Sequence, residues 1–386
     1  MAKVLLVDTN FSSVPMVSHL RRAGHDVWIC GGNPQAFMAK ADPNYIELNY
    51  ADTAALARLV EHHGFEVLVP GCTDVSYLSC ARINDHGRFK GIDPWDTTVK
   101  LHNKSRFRAV CEELGLSSPR TYTEDAAPTT PLIVKPVDGY SGRGITVLQT
   151  PSASSLKAAV EQARLASKDG HAVIEDHVSG QLHSYSCFLH HQRVVACWTV
   201  IEHGSANPFV VDTSHVLDHE EPALTQALTL EVEHLAAALQ LKDGLLHGQF
   251  IRTRNGFVWV EMTRRCPGDL YSQLIELSTG YRYAANYAKA FLGDTLDRVM
   301  EHRPPQPVLR HTVSVPAPLT LDHVEYLVPL RVARWVPLSS HGDRLQASPA
   351  GRIGVMFIRA DSNRELGALS LAARQRSLYR VIDMEA

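Results

Sequence analysis

At 386 residues, with 45% apolar and 20% charged residues, the chain has a globular composition and is too long for one small core, so two or three domains are expected. A net charge of −3 and no basic run give no reason to expect nucleic acid or an anionic membrane as partner. Seven scattered cysteines form no CxxC pair, which argues against a zinc knuckle or disulfide frame and for a reduced, cytoplasmic protein.

The first apolar run, Val4 to Val7, meets Asp8 and Asn10 at once. It is too short for a signal peptide or membrane span and reads as a buried strand. A helix at Val14–Ala23, a strand at Val27–Cys30, a helix at Ala54–His63 and a strand at Val67–Val69 follow. This alternation predicts a parallel sheet covered on both faces. Gly31-Gly32-Asn33-Pro34 lacks GxGxxG and reads as a turn. Asp8-Thr9-Asn10 and Gly71-Cys72-Thr73-Asp74 read as caps where strand passes into helix.

Asn103-Lys104-Ser105-Arg106-Phe107 opens a helix that ends at Glu113-Leu114-Gly115-Leu116. About 30 residues later comes LIVKPVDGYSGRGITVL, Leu132 to Leu148. An ordinary hairpin explains two apolar runs around a glycine-rich turn. It does not explain Lys135-Pro136, or a loop in which Gly139, Gly142 and Gly144 let the backbone approach a ligand. A flexible hairpin laying amide N–H groups over a polyphosphate, with lysine as a point charge, accounts for both.

A helix at Ser152–Ala166 and a strand at Ala172–Glu175 follow, the strand running into Asp176-His177-Val178-Ser179-Gly180. Strands at Ser184–Leu189 and Val194–Val200 precede a polar stretch, Glu202 to Glu221, expected to contact substrate. His215 and His219 lack an HExxH glutamate and read as solvated loop residues. After a helix at Leu224–Leu239, Asn255-Gly256 marks a hairpin that sets Gln249 and Glu261 on adjacent antiparallel strands. Helices at Asp269–Ser278 and Tyr281–Leu292 lead to the proline-rich Arg303-Pro304-Pro305-Gln306-Pro307. Strands at His311–Val315 and Gly354–Arg359 and a helix at Asn363–Leu371 complete the chain.

The Lys104 helix start, the Lys135 glycine loop, Ala172–Gly180 and the pair His247-Gly248-Gln249-Phe250 and Phe257–Asp269 occur in the order found in the ATP-grasp superfamily, which residues 1–300 resemble. The resemblance implies an α/β protein of the α+β grasp type. A pre-ATP-grasp domain would span 1–100 and a two-subdomain ATP-grasp domain 101–300, with a mobile lid at about 130–190. A small C-terminal subdomain at 301–386 would resemble that of biotin-carboxylase-like ligases. It implies ATP and Mg2+, with Mn2+ as an alternative metal. Lys104 and Lys135 would reach the phosphates, Gly139, Ser141 and Gly142 would close over them, and Glu175, Asp176, Val178 and His183 would meet the nucleoside. Gln249, Glu261 and Thr263 would hold the metal, and Glu261 and Arg265 would carry catalysis. Gln249 and Thr263 depart from the acidic residue and the asparagine of the family pattern, Asp269 is a substitute carboxylate, and Gln249→Glu is expected to be tolerated.

The activity so implied is carboxylate–amine ligation through an acylphosphate, releasing ADP and phosphate. A carboxylic acid or amino acid and an amine would be the substrates, in a possible homodimer. The alternatives are a carboxylase acting through carboxyphosphate and a nucleotide-binding regulator without catalysis. No Met-Lys-Met-like biotinylation site occurs in the sequence, which sets the ligase ahead of the carboxylase.

Overall fold

The computed structural model describes residues 1–84, 86–125, 130–139, 142–217, 221–298 and 304–385. The first sheet is parallel, in the order Tyr45–Glu47, Asp26–Gly31, Lys3–Val7, Val67–Pro70. Its central strand is apolar and buried, with Val4, Leu5, Leu6 and Val7 sealed from solvent, as expected where helices cover both faces. Helices at Asp74–Ile83 and Trp95–His102, not read from the sequence, follow the last strand. Thr73 caps the first of them, its Oγ1 accepting from Ser76 N at 3.2 Å.

The helix Lys104–Leu114 starts where Asn103 accepts from Arg106 N and stops where Gly115 turns left-handed at φ 66°. A small antiparallel sheet follows, in the order Thr121–Tyr122, Ala172–Asp176, Leu132–Pro136, Thr146–Leu148. The helix Ala153–Ala166, opened by a Ser152–Ser155 capping box, packs on it through Leu156, Ala159, Val160 and Ala163.

The largest sheet is antiparallel and has eight strands among the described residues. Five lie before residue 217 or in the Gly244–Thr253 and Gly256–Thr263 hairpin. The other three, Val308–Ser314, Arg352–Arg359 and Val332–Pro337, come from the region expected to form a separate C-terminal subdomain. They enter through the edge of Thr213–Val216, a strand lying inside the polar stretch Glu202 to Glu221 for which no strand was expected. His215 is therefore a sheet residue; burial, with His203 adding to it, pulls its pKa down to about 4. His219 and Ser141 lie outside the described residues. All seven cysteines are free, and among the described residues no helix is long and apolar enough to cross a membrane.

Candidate active site

A cleft of about 1610 Å³ runs between the parallel domain, the small sheet and the large sheet. Its residues come from the polar ends of elements whose apolar faces build the cores, so the fold fixes their directions. At one end the glycine loop meets the start of the Lys104 helix: Lys104 Nζ donates to Gly139 O at 2.9 Å and lies 3.6 Å from Glu261 Oε2. Gly142, at φ 73°, has no room for a side chain, since a Cβ there would sit 2.7 Å from Phe209 Cβ.

Lys135 sits in the same end, its Nζ 2.8 Å from Glu175 Oε2. Glu175 is fully buried and also accepts from Arg108 Nε at 2.8 Å. Burial works to raise its pKa, but the two cations hold it at about 2. Glu175 thus anchors Lys135, and its carboxylate is already engaged rather than free for a ribose. Asp176 accepts from Tyr122 OH at 2.7 Å and from Thr130 Oγ1 at 3.2 Å while lining the cleft, as Val178 does. His183 does not line it. Side chains alternate along a strand, so His183 points away from the face that carries Leu182 and Ser184. Its ring stacks on Phe250 at 5.2 Å, and Nδ1 meets Gln181 O at 3.0 Å.

At the centre, the hairpin register sets Gln249 opposite Glu261 and His247 opposite Thr263. These side chains share the cleft face. Glu261 is exposed to the cleft and close to Lys104, whereas Arg264 pairs with buried Asp93 at 2.7 Å. Gln249 Nε2 donates to Glu202 Oε2 at 2.6 Å. Glu202, read from the sequence only as the start of the polar stretch, has its carboxyl pushed up to about 7 by burial, reinforced by Asp269. Arg265 Nη2 bonds Asp74 Oδ2 at 2.9 Å, and Thr263 Oγ1 donates to Asp74 Oδ1 at 3.3 Å. Burial would raise Asp74, but Arg265 and His102 hold it well below the carboxylate range. Asp269, expected as a substitute carboxylate, lines the same cleft, with its Oδ2 3.3 Å from Arg310 Nη1 and its charge acting on Glu202.

Among the described residues no group of three or more His, Cys, Asp or Glu residues is arranged to hold a metal ion. Magnesium asks for less, since one or two carboxylates suffice when water and phosphate fill the remaining positions. Glu261 offers a carboxylate. Gln249, with its N–H committed to Glu202, leaves its carbonyl oxygen available, and Thr263 adds a hydroxyl. The donor set fits a hard cation.

No protein-family model and no curated protein sequence matches the chain. Solved structures do match in shape. Phosphoribosylglycinamide synthetase from Anaerococcus prevotii aligns at a TM-score of 0.78 and 12% identity, over 99% of both chains. L-amino acid ligase from Bacillus licheniformis aligns at 0.78 and 16%, also over 99% of both. The biotin carboxylase domain of 2-oxoglutarate carboxylase from Hydrogenobacter thermophilus, a dimer in complex with MgADP, ADP and bicarbonate, aligns at 0.78 and 15%, over 99% of this chain and 91% of that one. The chain has the ATP-grasp fold over essentially its whole length.

Proposed function

We propose that the protein is an ATP-dependent carboxylate–amine ligase. The observation that carries this reading is the meeting of Lys104, Glu261, Gln249 and Arg265 on one cleft in a fold shared with such ligases. The donor carboxylate attacks the γ-phosphorus of ATP; an O–P bond forms as the bridging P–O bond to ADP breaks. The amine nitrogen then attacks the acylphosphate carbonyl, expels phosphate, loses a proton and leaves an amide.

This chain's residues act by positioning and charge. Lys104 and Lys135 would flank the phosphates, Gly139 and Gly142 would cover them, and Asp176 and Val178 would border the nucleoside. Magnesium, held by Glu261, Gln249 and Thr263, would supply charge neutralisation at the phosphates. Arg265, oriented by Asp74, would offset charge on the transferred phosphoryl group. The small sheet and its loop would close as the lid. A cytoplasmic homodimer completes the proposal.

The test is a screen of carboxylic acid and amine pairs for ADP release in bicarbonate-free buffer, with hydroxylamine as a trap. The ligase reading requires turnover dependent on both substrates and a hydroxamate containing the donor. Strict dependence on bicarbonate without any hydroxamate would transfer the protein to the carboxylases.

A further inference from the structure

The cleft has a second end, remote in sequence from the lysines and built where Val308–Ser314 and Arg352–Arg359 join the sheet. Arg310, Thr312 and Ser314 alternate along the first strand and share its cleft face, and the register sets Arg352 opposite Ser314. Arg310 is 1% exposed. Its Nε donates to Asp269 O at 2.7 Å and its Nη2 to Thr312 Oγ1 at 2.8 Å. Nη1, although 3.3 Å from Asp269 Oδ2, makes no hydrogen bond.

Arg352 opens to the cleft with its guanidinium over the Phe11 ring at 5.5 Å, and makes no side-chain hydrogen bond or ion pair among the described residues. Desolvation by the cleft walls, then the charge of Arg310, pull its pKa down. Two guanidiniums in one partly dry wall share Asp269, and the nearby Glu202 carboxyl is pushed up to about 7, which leaves a cationic excess below that pH. Arg352 lacks an anion, and its planar fork suits a carboxylate or phosphate.

We infer that this end of the cleft holds the carboxylate of an amino-acid acceptor, on Arg352 with Arg310 behind it, while Asp269 faces the acceptor's amino group. This rests on the ligase reading above and names the class of amine it uses. The partly exposed carboxylate of Asp269 at the rim selects a zwitterion over a plain anion, because a phosphate group alone would meet its repulsion.

Two measurements on the full chain decide the matter. In the first, phenylglyoxal labelling of Arg352 is followed by mass spectrometry with each standard amino acid, its amide, or inorganic phosphate added. At least one amino acid should slow labelling about tenfold while its amide does not. Slowing by phosphate and by no amino acid would overturn the amino-acid assignment, and slowing by nothing would overturn the site. In the second, Arg352→Ala should raise the acceptor KM on the order of ten- to a hundredfold with the ATP KM held, Arg352→Lys should recover part, and an amide acceptor should be indifferent. An unchanged KM for the amino acid would overturn the assignment. If no amine supports ADP release while amino acids still protect Arg352, the ligase reading falls and the zwitterion site stands.

Discussion

At neutral pH, Glu175→Gln leaves Lys135 and Arg108 facing a neutral amide inside the protein. Both oxygens of Glu175 lie 2.8 Å from a cation. Burial alone would raise this carboxyl; Lys135 and Arg108 reverse that and bring it from 4.5 to about 2. At about 1.36 kcal/mol per pH unit the fall is worth roughly 3 kcal/mol, part of which the desolvation of Lys135 takes back. Loss of one partner from a buried pair costs a similar amount, about 3–5 kcal/mol. Arg108 Nη2 also donates to Val260 O at 2.7 Å, so this one carboxylate joins the small sheet, the Lys104 helix and the hairpin. The loss should therefore register as local opening, read by hydrogen exchange with mass spectrometry. Protection of Leu132–Pro136 and Ala172–Asp176 should fall about a hundredfold at pH 7. A depressed carboxylate contributes fully above its unfolded value of 4.5 and loses its contribution as pH falls toward about 2, so the gap between variant and wild type should narrow over that interval. Equal protection at pH 7, or a gap indifferent to pH, would refute the reasoning.

Lys135→Ala should weaken ATP binding by about ten- to a hundredfold, measured by calorimetric titration with magnesium present; unchanged affinity would remove Lys135 from the phosphate site. Glu261→Gln should lower turnover by about a hundredfold or more while circular dichroism and melting temperature stay near wild type, because the side chain opens to the cleft and supports no core.

Features with a short range in sequence were legible. Strand and helix periods placed most elements within a few residues, and the Asn-Gly turn set Gln249 opposite Glu261 as expected. The pairing of Leu132–Pro136 with Thr146–Leu148 around the glycine loop was legible for the same reason, since the two strands are neighbours in sequence. What was missed depends on distant partners. Arg108 meets Glu175 across 67 residues and Arg265 meets Asp74 across 191, and neither pairing leaves a local pattern. His183 failed on parity: a one-residue choice of face sends a strand side chain to the opposite side. The entry of Val308–Ser314 into the large sheet was invisible for another reason. A strand's pattern states that one face is buried and leaves open which edge it pairs with.

Gln249 shows what that distance conceals. In one dimension it looks like a lost charge in a metal site, the sole support, with Thr263, for a regulator without catalysis. In the fold, the strand Arg193–His203 lies beyond Gln181–His190, and Glu202 reaches back to accept from Gln249 at 2.6 Å. A carboxyl pushed up to about 7, and so fully charged only above that pH, stands one hydrogen bond behind the hairpin, and the amide joins it to the cleft. This reverses the sequence expectation for Gln249→Glu. Two carboxylates would meet where an amide and a carboxylate now bond, at a cost of about 1–3 kcal/mol unless one takes up a proton or a cation. Well above pH 7, where Glu202 is ionised, the single variant should melt below wild type in EDTA and recover on adding magnesium. The Glu202→Gln and Gln249→Glu double variant, which exchanges charge and amide, should melt near wild type in both. If the single variant is as stable as wild type in EDTA, Glu202 is not the charge that Gln249 replaced.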